Sequence, residues 1–134
     1  MRKFAFSAAI VFGLILIAGG VGTWVLVSNT LSNQRITVAD DADCRAGEPV
    51  SGPYSAYCQA RIIEKHTLDA TDGKTYAELD REDPLRQVAM NSSFLQASLF
   101  TSVLAFGVAG LATLAGVLFI LIGLGMKDVG DRMA

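Results

Sequence analysis

Two long uncharged blocks dominate the hydrophobic pattern of this chain. No charged residue occurs in the 24 positions of 4–27 or in the 40 positions of 87–126. A helix of about 20 apolar residues crosses a hydrocarbon core roughly 30 Å thick, so each block is long enough for one span. Neither block has the polar face of a helix that packs on a soluble core. We therefore predict transmembrane helices over 4–27 and 99–125, with terminal segments at 1–3 and 126–134.

The first block also has two features of a cleaved signal peptide. Arg2 and Lys3 form a basic start, and Ala18-Gly19-Gly20 is a patch of small residues where cleavage could occur. The apolar run continues to Val27, however, whereas the apolar part of a signal peptide covers about 7–15 residues. Trp24 is also typical of a membrane–water interface. We favour an uncleaved span.

The intervening segment, 28–98, is predicted to form a small, mainly α domain with a little β structure. The β-branched pattern Ile36-Thr37-Val38 predicts a short strand, with a return strand over 45–50. A proline in Ser51-Gly52-Pro53 predicts a helix start, and Asp72-Gly73 predicts its end near residue 70.

Two more capping signals precede the second span. Thr75 and Glu78 have the spacing of a capping box and predict one further turn of helix. Asp83 followed by Pro84 predicts a helix that continues to residue 126, about 63 Å at 1.5 Å per residue. The bilayer accounts for roughly half of that length, so the part before residue 96 is expected to stand outside the membrane as a stalk.

The distribution of charge favours termini in the cytoplasm. The terminal segments carry four Lys or Arg residues against two Asp residues, whereas 28–98 carries seven basic against eleven acidic residues. Arg2 and Lys3 beside the first span agree with the positive-inside rule, although Arg35, Arg81 and Arg86 reduce the contrast. We expect a plasma-membrane protein whose 28–98 loop lies outside the cytoplasm.

The only two cysteines, Cys44 and Cys58, both lie in this loop. A pair confined to one compartment favours a disulfide on the oxidising side of the membrane, and the closed loop of 15 residues would contribute about 3 kcal/mol. Two unpaired cysteines are the alternative. A zinc site with His66 lacks the short ligand spacings of structural zinc, so we predict no metal and no cofactor.

Small residues in both blocks predict close helix packing. They are Gly13, Ala18 and Gly22 in the first block, with Ala105, Ala109, Ala112 and Gly116 in the second. Such residues let helix backbones approach each other in lipid. They are also common in membrane helices generally. Packing within one hairpin is the favoured interpretation, and a homo-oligomer is a second one.

The loop offers few candidates for chemistry. His66 and Asp69, three residues apart on one predicted helix, could form a general base. The acidic groups 40–43 and 80–83 lack the alternating spacing of a calcium loop. The chain has no basic stripe for nucleic acid and no phosphate-binding loop. Transport and proton transfer usually require ionisable residues inside the membrane. Neither predicted span contains one.

Several stretches resemble a family of small actinobacterial membrane proteins with two spans. They are Ile36-Thr37-Val38, Asp41-Ala42, Gly52-Pro53-Tyr54-x-Ala56-Tyr57, the run 73–84, and Ser93-Phe94-Leu95-x-Ala97-Ser98-Leu99-Phe100-Thr101-Ser102-Val103. Members are often labelled as an aromatic ring-opening dioxygenase subunit. The resemblance implies a two-span envelope protein, but a facial-triad iron site needs two histidines and a carboxylate, and this chain has one histidine.

Two classes of function follow. The favoured one is a non-catalytic accessory or structural subunit of a larger envelope or respiratory membrane complex, with Tyr54, Tyr57 and Tyr76 as candidate interaction residues because aromatic anchors commonly carry interface energy. The second is an enzyme or a ligand- or metal-binding sensor that uses the His66 region together with a partner chain.

Overall fold

The computed structural model describes residues 2–132, which contain three helices and no strand. They are α1 (Arg2–Asn33), α2 (Pro53–Ala70) and α3 (Leu85–Arg132). The helices belong to two compact units. The apolar unit combines α1 up to Leu26 with α3 from Ala105 onward, and the loop unit is Val27–Leu104. The prediction of a mainly α protein is confirmed.

Two of the helices are long and apolar enough to cross a membrane, namely Phe4–Asn33 and Leu85–Arg132. Both predicted blocks are therefore helical throughout. Within the most apolar stretch of each helix, only 11% is buried in Phe4–Asn33 and only 17% in Leu85–Arg132. The core helix of a soluble protein is instead mostly buried, so these helices leave most of their apolar surface uncovered.

Glycines bring the two helices of the apolar unit into backbone contact. A Cβ added to Gly13 would lie 2.6 Å from the Gly116 carbonyl oxygen, and one added to Gly116 would lie equally close to the Gly13 oxygen. Gly20 meets Ala109 in the same way, at 2.6 Å. Gly13 and Gly20 are seven residues apart, as are Ala109 and Gly116, so the antiparallel helices meet at a heptad repeat. Backbone contact maximises dispersion where larger side chains would separate the helices.

Other predicted packing residues of the first block face elsewhere. Gly22 has no heavy atom within 4 Å of the position of an added Cβ, and Ala18 is exposed. Ala105 and Ala112 are half-buried. The interpretation of Ala18 and Gly22 as part of the hairpin contact is thus corrected. Motif spacing shows that small residues recur, but the rotation of the helix decides which of them meet α3.

The segment before α2 contains a single antiparallel bridge, between Thr37 and Pro49, in place of the two predicted strands. Val38 N–H donates to the Glu48 oxygen at 2.9 Å, and Gly47 N–H donates back to the Val38 oxygen at 2.9 Å. The ladder cannot extend because Pro49 has no N–H and Gly47 has a φ of +74°. Val38 and Val50 are nevertheless fully buried and anchor this segment in the core of the loop unit.

The predicted limits of α2 are confirmed. Gly52 precedes Pro53 in an extended conformation, and Ser55 Oγ accepts a hydrogen bond from the Gly52 N–H at 3.2 Å. At the other end, Asp72 and Gly73 both have positive φ, and Gly73 N–H donates to the Leu68 oxygen at 2.7 Å. Left-handed residues just beyond a helix satisfy its last carbonyls and end it.

Of the two helix starts predicted before α3, one is a turn in the structure and the other begins a helix. Glu78 Oε2 accepts hydrogen bonds from the Thr75 N–H at 2.8 Å and from its hydroxyl at 2.9 Å, but the result is a hydrogen-bonded turn, not the predicted helical turn. A segment of four residues forms too few helical hydrogen bonds to offset the entropy lost in nucleating a helix. Asp83 Oδ1 accepts from the Leu85 N–H at 2.8 Å, and α3 begins there as predicted.

Candidate functional site

The loop before α2 is fastened to that helix at three points. Cys44 and Cys58 form a disulfide with Cα atoms 5.7 Å apart, as predicted. The Ala39 N–H donates to Gln59 Oε1 at 3.0 Å. Further along the helix, His66 Nε2 lies 2.7 Å from Asp41 Oδ2. The disulfide and the polar contacts therefore hold a segment without regular structure in one place on α2.

His66 has a different partner from the one that its sequence neighbourhood suggested. The predicted partner was Asp69, three residues along α2, whereas the observed contact joins His66 to Asp41 in the preceding loop. The hydrogen bond from His66 lowers the pKa of the Asp41 carboxyl. Both side chains are about half exposed or more, at 48% and 61%. This arrangement links two segments at the surface and does not lie in a cleft.

A cavity of about 370 Å³ lies beside the disulfide. Its wall is charged with both signs: Asp43, Glu64 and Asp69 against Arg61 and Lys65. Ligand pockets of this size are usually mostly apolar with a few polar groups. The mixed charges give this cavity no preference for an anionic or a cationic ligand. In residues 2–132, no three His, Cys, Asp or Glu side chains lie together in a way that could hold a metal ion.

The three predicted interaction tyrosines do not form one surface. Tyr54 is 56% exposed and Tyr57 is 41% exposed, and both lie in the first part of α2. Tyr76 belongs to the turn before α3, where the Arg86 guanidinium lies 4.2 Å from its ring centroid. The Arg45 guanidinium lies 5.4 Å from the Tyr54 ring centroid. Each of Tyr54 and Tyr76 thus has a cation against its ring.

A chain of hydroxyl groups joins α2 to α3 and was not predicted. Gln96 Nε2 donates to Ser92 Oγ at 3.0 Å, and Thr67 Oγ1 lies 2.5 Å from Ser92 Oγ. Thr67 Oγ1 in turn donates to the Ile63 carbonyl at 2.8 Å. Ser92 is buried, so this chain of hydrogen bonds satisfies a polar group inside the unit. Sequence reasoning missed it because serine and threonine are ordinary in helices.

Much of α3 within the loop unit is uncovered, and one row of its exposed residues has the spacing of a helix pair. Four exposed residues follow one another at spacings of three, four and three positions, and we call them the α3 stripe. They are Val88, Asn91, Leu95 and Ser98. Val88 is 47% and Leu95 is 52% exposed, whereas Ala89, Ser92 and Leu99 on the packed side are buried. Helix-pairing surfaces have this spacing. The uncharged run that begins at Gln87, well before the predicted span, is the sequence signal that could have revealed it.

Comparison of the chain with protein-family models, curated proteins and solved structures finds no match. The resemblance to the actinobacterial family therefore stays a prediction.

Proposed function

We propose that this protein is a two-span envelope membrane protein that acts as an accessory or structural subunit of a larger envelope or respiratory membrane complex, and that its loop unit docks on this complex outside the cytoplasm. Insertion is supported by two helices that leave most of their apolar surface uncovered. Such surface costs roughly 25 cal/mol per Å² in water, and a bilayer removes that cost. The Cys44–Cys58 bond supports an oxidising compartment for the loop.

The α3 stripe is the observation that carries the docking role. Val88 lies eleven residues before the predicted span, about 16 Å along the helix. Headgroups extend only about 5–8 Å beyond the hydrocarbon on each side, so lipid would not cover Val88. Val88 is an exposed apolar residue beyond the reach of lipid, and Leu95 lies seven residues further along the same row. This spacing, as in a helix pair, favours a helix of another subunit as the partner.

The His66 contact also favours docking over catalysis. A general base usually lies in a cleft with a substrate site beside it. His66 instead joins the loop to α2 at an exposed position, through Asp41. We therefore assign His66 to holding the loop in place. Replacing it by alanine is expected to leave association with the partner unchanged.

Site-specific photo-crosslinking in native membranes tests the proposal. A photoreactive amino acid at Val88 or at Leu95 should yield one discrete adduct with a different polypeptide. The same amino acid at Ser93, exposed on the other side of α3, is the matched control and should not. The double variant Val88→Ser, Leu95→Ser should then lose co-purification with that polypeptide at unchanged membrane abundance.

Three results would contradict the proposal. Equal crosslinking from the stripe and from Ser93 would remove the stripe as an interface. Adducts only between copies of this chain would replace the accessory role by a homo-oligomer. Loss of cellular activity in His66→Ala, with abundance and crosslinking unchanged, would favour an enzyme or sensor instead.

A further inference from the structure

The foot of α2 is attached to both long helices where their predicted spans meet the loop. Ser28 directly follows the first predicted span, and its Oγ donates to the Ser51 carbonyl at 2.7 Å, just before α2. Phe100 lies at the start of the second predicted span, and its ring centroid is 6.3 Å from that of Tyr57. Two independent contacts thus set the beginning of α2 level with the edge of the apolar runs.

From this foot, α2 runs antiparallel to α3. Tyr57 meets Phe100 near the start of α2, and Thr67 meets Ser92 near its end. Tyr76 lies further still in the same direction, against Arg86. Arg86 and Phe100 are fourteen residues apart on α3, or about 21 Å. Tyr54 and Tyr57 therefore lie at one end of the loop unit, and Tyr76 lies at the other.

The chemistry at the foot suits the headgroup layer of a bilayer. Tyrosine rings concentrate at membrane interfaces because the ring is apolar and the hydroxyl is polar. Tyr54 and Tyr57 are exposed, and one helical turn separates them. Arg45 beside Tyr54 is paired with Glu48 at 2.5 Å, and Arg61 is paired with Glu64 at 3.3 Å. Both of these cations are thus paired with carboxylates, so binding to zwitterionic headgroups does not require anionic lipid.

We propose that Tyr54 and Tyr57 are interfacial anchors that insert into the phospholipid headgroup layer and hold α2 upright on the membrane. The occupant of this surface is lipid, so these tyrosines are not docking residues for a protein partner. The inference rests on the membrane insertion that we propose above. It explains why two aromatic side chains stay uncovered on a helix whose other side is packed.

Depth-dependent quenching tests the anchor. Tyr54→Trp, Tyr57→Trp and Tyr76→Trp are each prepared with Trp24→Phe, which leaves one tryptophan per protein. Each is reconstituted into phosphatidylcholine vesicles with or without bromine near the top of the acyl chains. Tryptophan at 54 and at 57 should lose emission in the brominated vesicles. In vesicles without bromine, both should emit at shorter wavelength than tryptophan at 76. Tryptophan at 76, the matched control, should keep its emission.

A second measurement uses the unaltered sequence, in case a variant does not fold. Vesicles that contain a photoactivatable phosphatidylcholine with its reactive group next to the headgroup should label tryptic peptide 46–61, which holds Tyr54 and Tyr57. Peptide 75–81, which holds Tyr76, should remain unlabelled. Adding anionic lipid should not change the extent to which peptide 46–61 is labelled.

The outcomes separate the anchor from the proposed function. Wild-type Trp24 quenched by bromine near the top of the acyl chains, with no quenching at 54 and 57 and no label on 46–61, would overturn the anchor alone. Unquenched Trp24 in the wild type would overturn both membrane insertion and the anchor. Equal quenching at 54, 57 and 76 would also refute the anchor, because the control lies about 21 Å away along α3.

Discussion

Replacing Gly116 by alanine should weaken the contact between the helices of the apolar unit. The new Cβ would lie 2.6 Å from the Gly13 carbonyl oxygen and 2.7 Å from Ile17 Cγ1. The oxygen belongs to a helical backbone and cannot rotate away, so the helices must separate by about 0.5–1 Å, which forfeits a quarter to a half of each local dispersion contact. Overpacking of this kind costs about 1–3 kcal/mol.

Gly107→Ala is the matched control on the same helix. Nothing lies within 4 Å of a Cβ at that position, so alanine there meets open space. Both substitutions gain the same helix propensity, roughly 1 kcal/mol in water, and this contribution cancels when the two variants are compared. The difference between them therefore measures the steric cost alone.

Unfolding in mixed micelles of dodecyl maltoside and SDS provides the assay. Trp24 reports on the contact because its ring centroid lies 4.8 Å from that of Phe106 across the two helices. Gly116→Ala should unfold at a lower fraction of SDS than Gly107→Ala, by the equivalent of about 1–3 kcal/mol. Identical midpoints for the two variants would refute the backbone contact.

Three further predictions concern the loop unit. Replacing Cys44 and Cys58 by serine should lower the free energy of unfolding by about 3 kcal/mol, as measured by urea denaturation against unaltered protein, because it releases a closed loop of about 15 residues; an unchanged midpoint would contradict this. The pKa of Asp41, followed by NMR, should rise in His66→Ala. In the unaltered protein the folded pKa of Asp41 is depressed, so the contribution of Asp41 to stability is present above the unfolded value of about 3.9 and is lost as the pH falls through the folded pKa. Asp83→Ala should remove a cap worth about 1 kcal/mol and speed amide exchange in the first turn of α3, whereas exchange rates equal to those of Glu82→Ala would exclude a capping role.

Local rules were sufficient for much of this protein. Pro53 at the start of α2, the glycine after its end, and Asp83 before α3 act through backbone groups within a few residues. Long apolar runs likewise determine helices without reference to the rest of the chain. The disulfide needed only a count of two cysteines in one loop.

Contacts between distant residues required the tertiary structure. The spans are apolar on every side, so no periodicity shows which face packs, and only the rotation of the helices selects Gly13 and Gly116 while leaving Gly22 outside the contact. His66 meets Asp41, 25 residues away, because the disulfide and Val38 hold the intervening loop against α2. Sequence spacing determines which residues share a helix face, but packing between elements decides what that face meets.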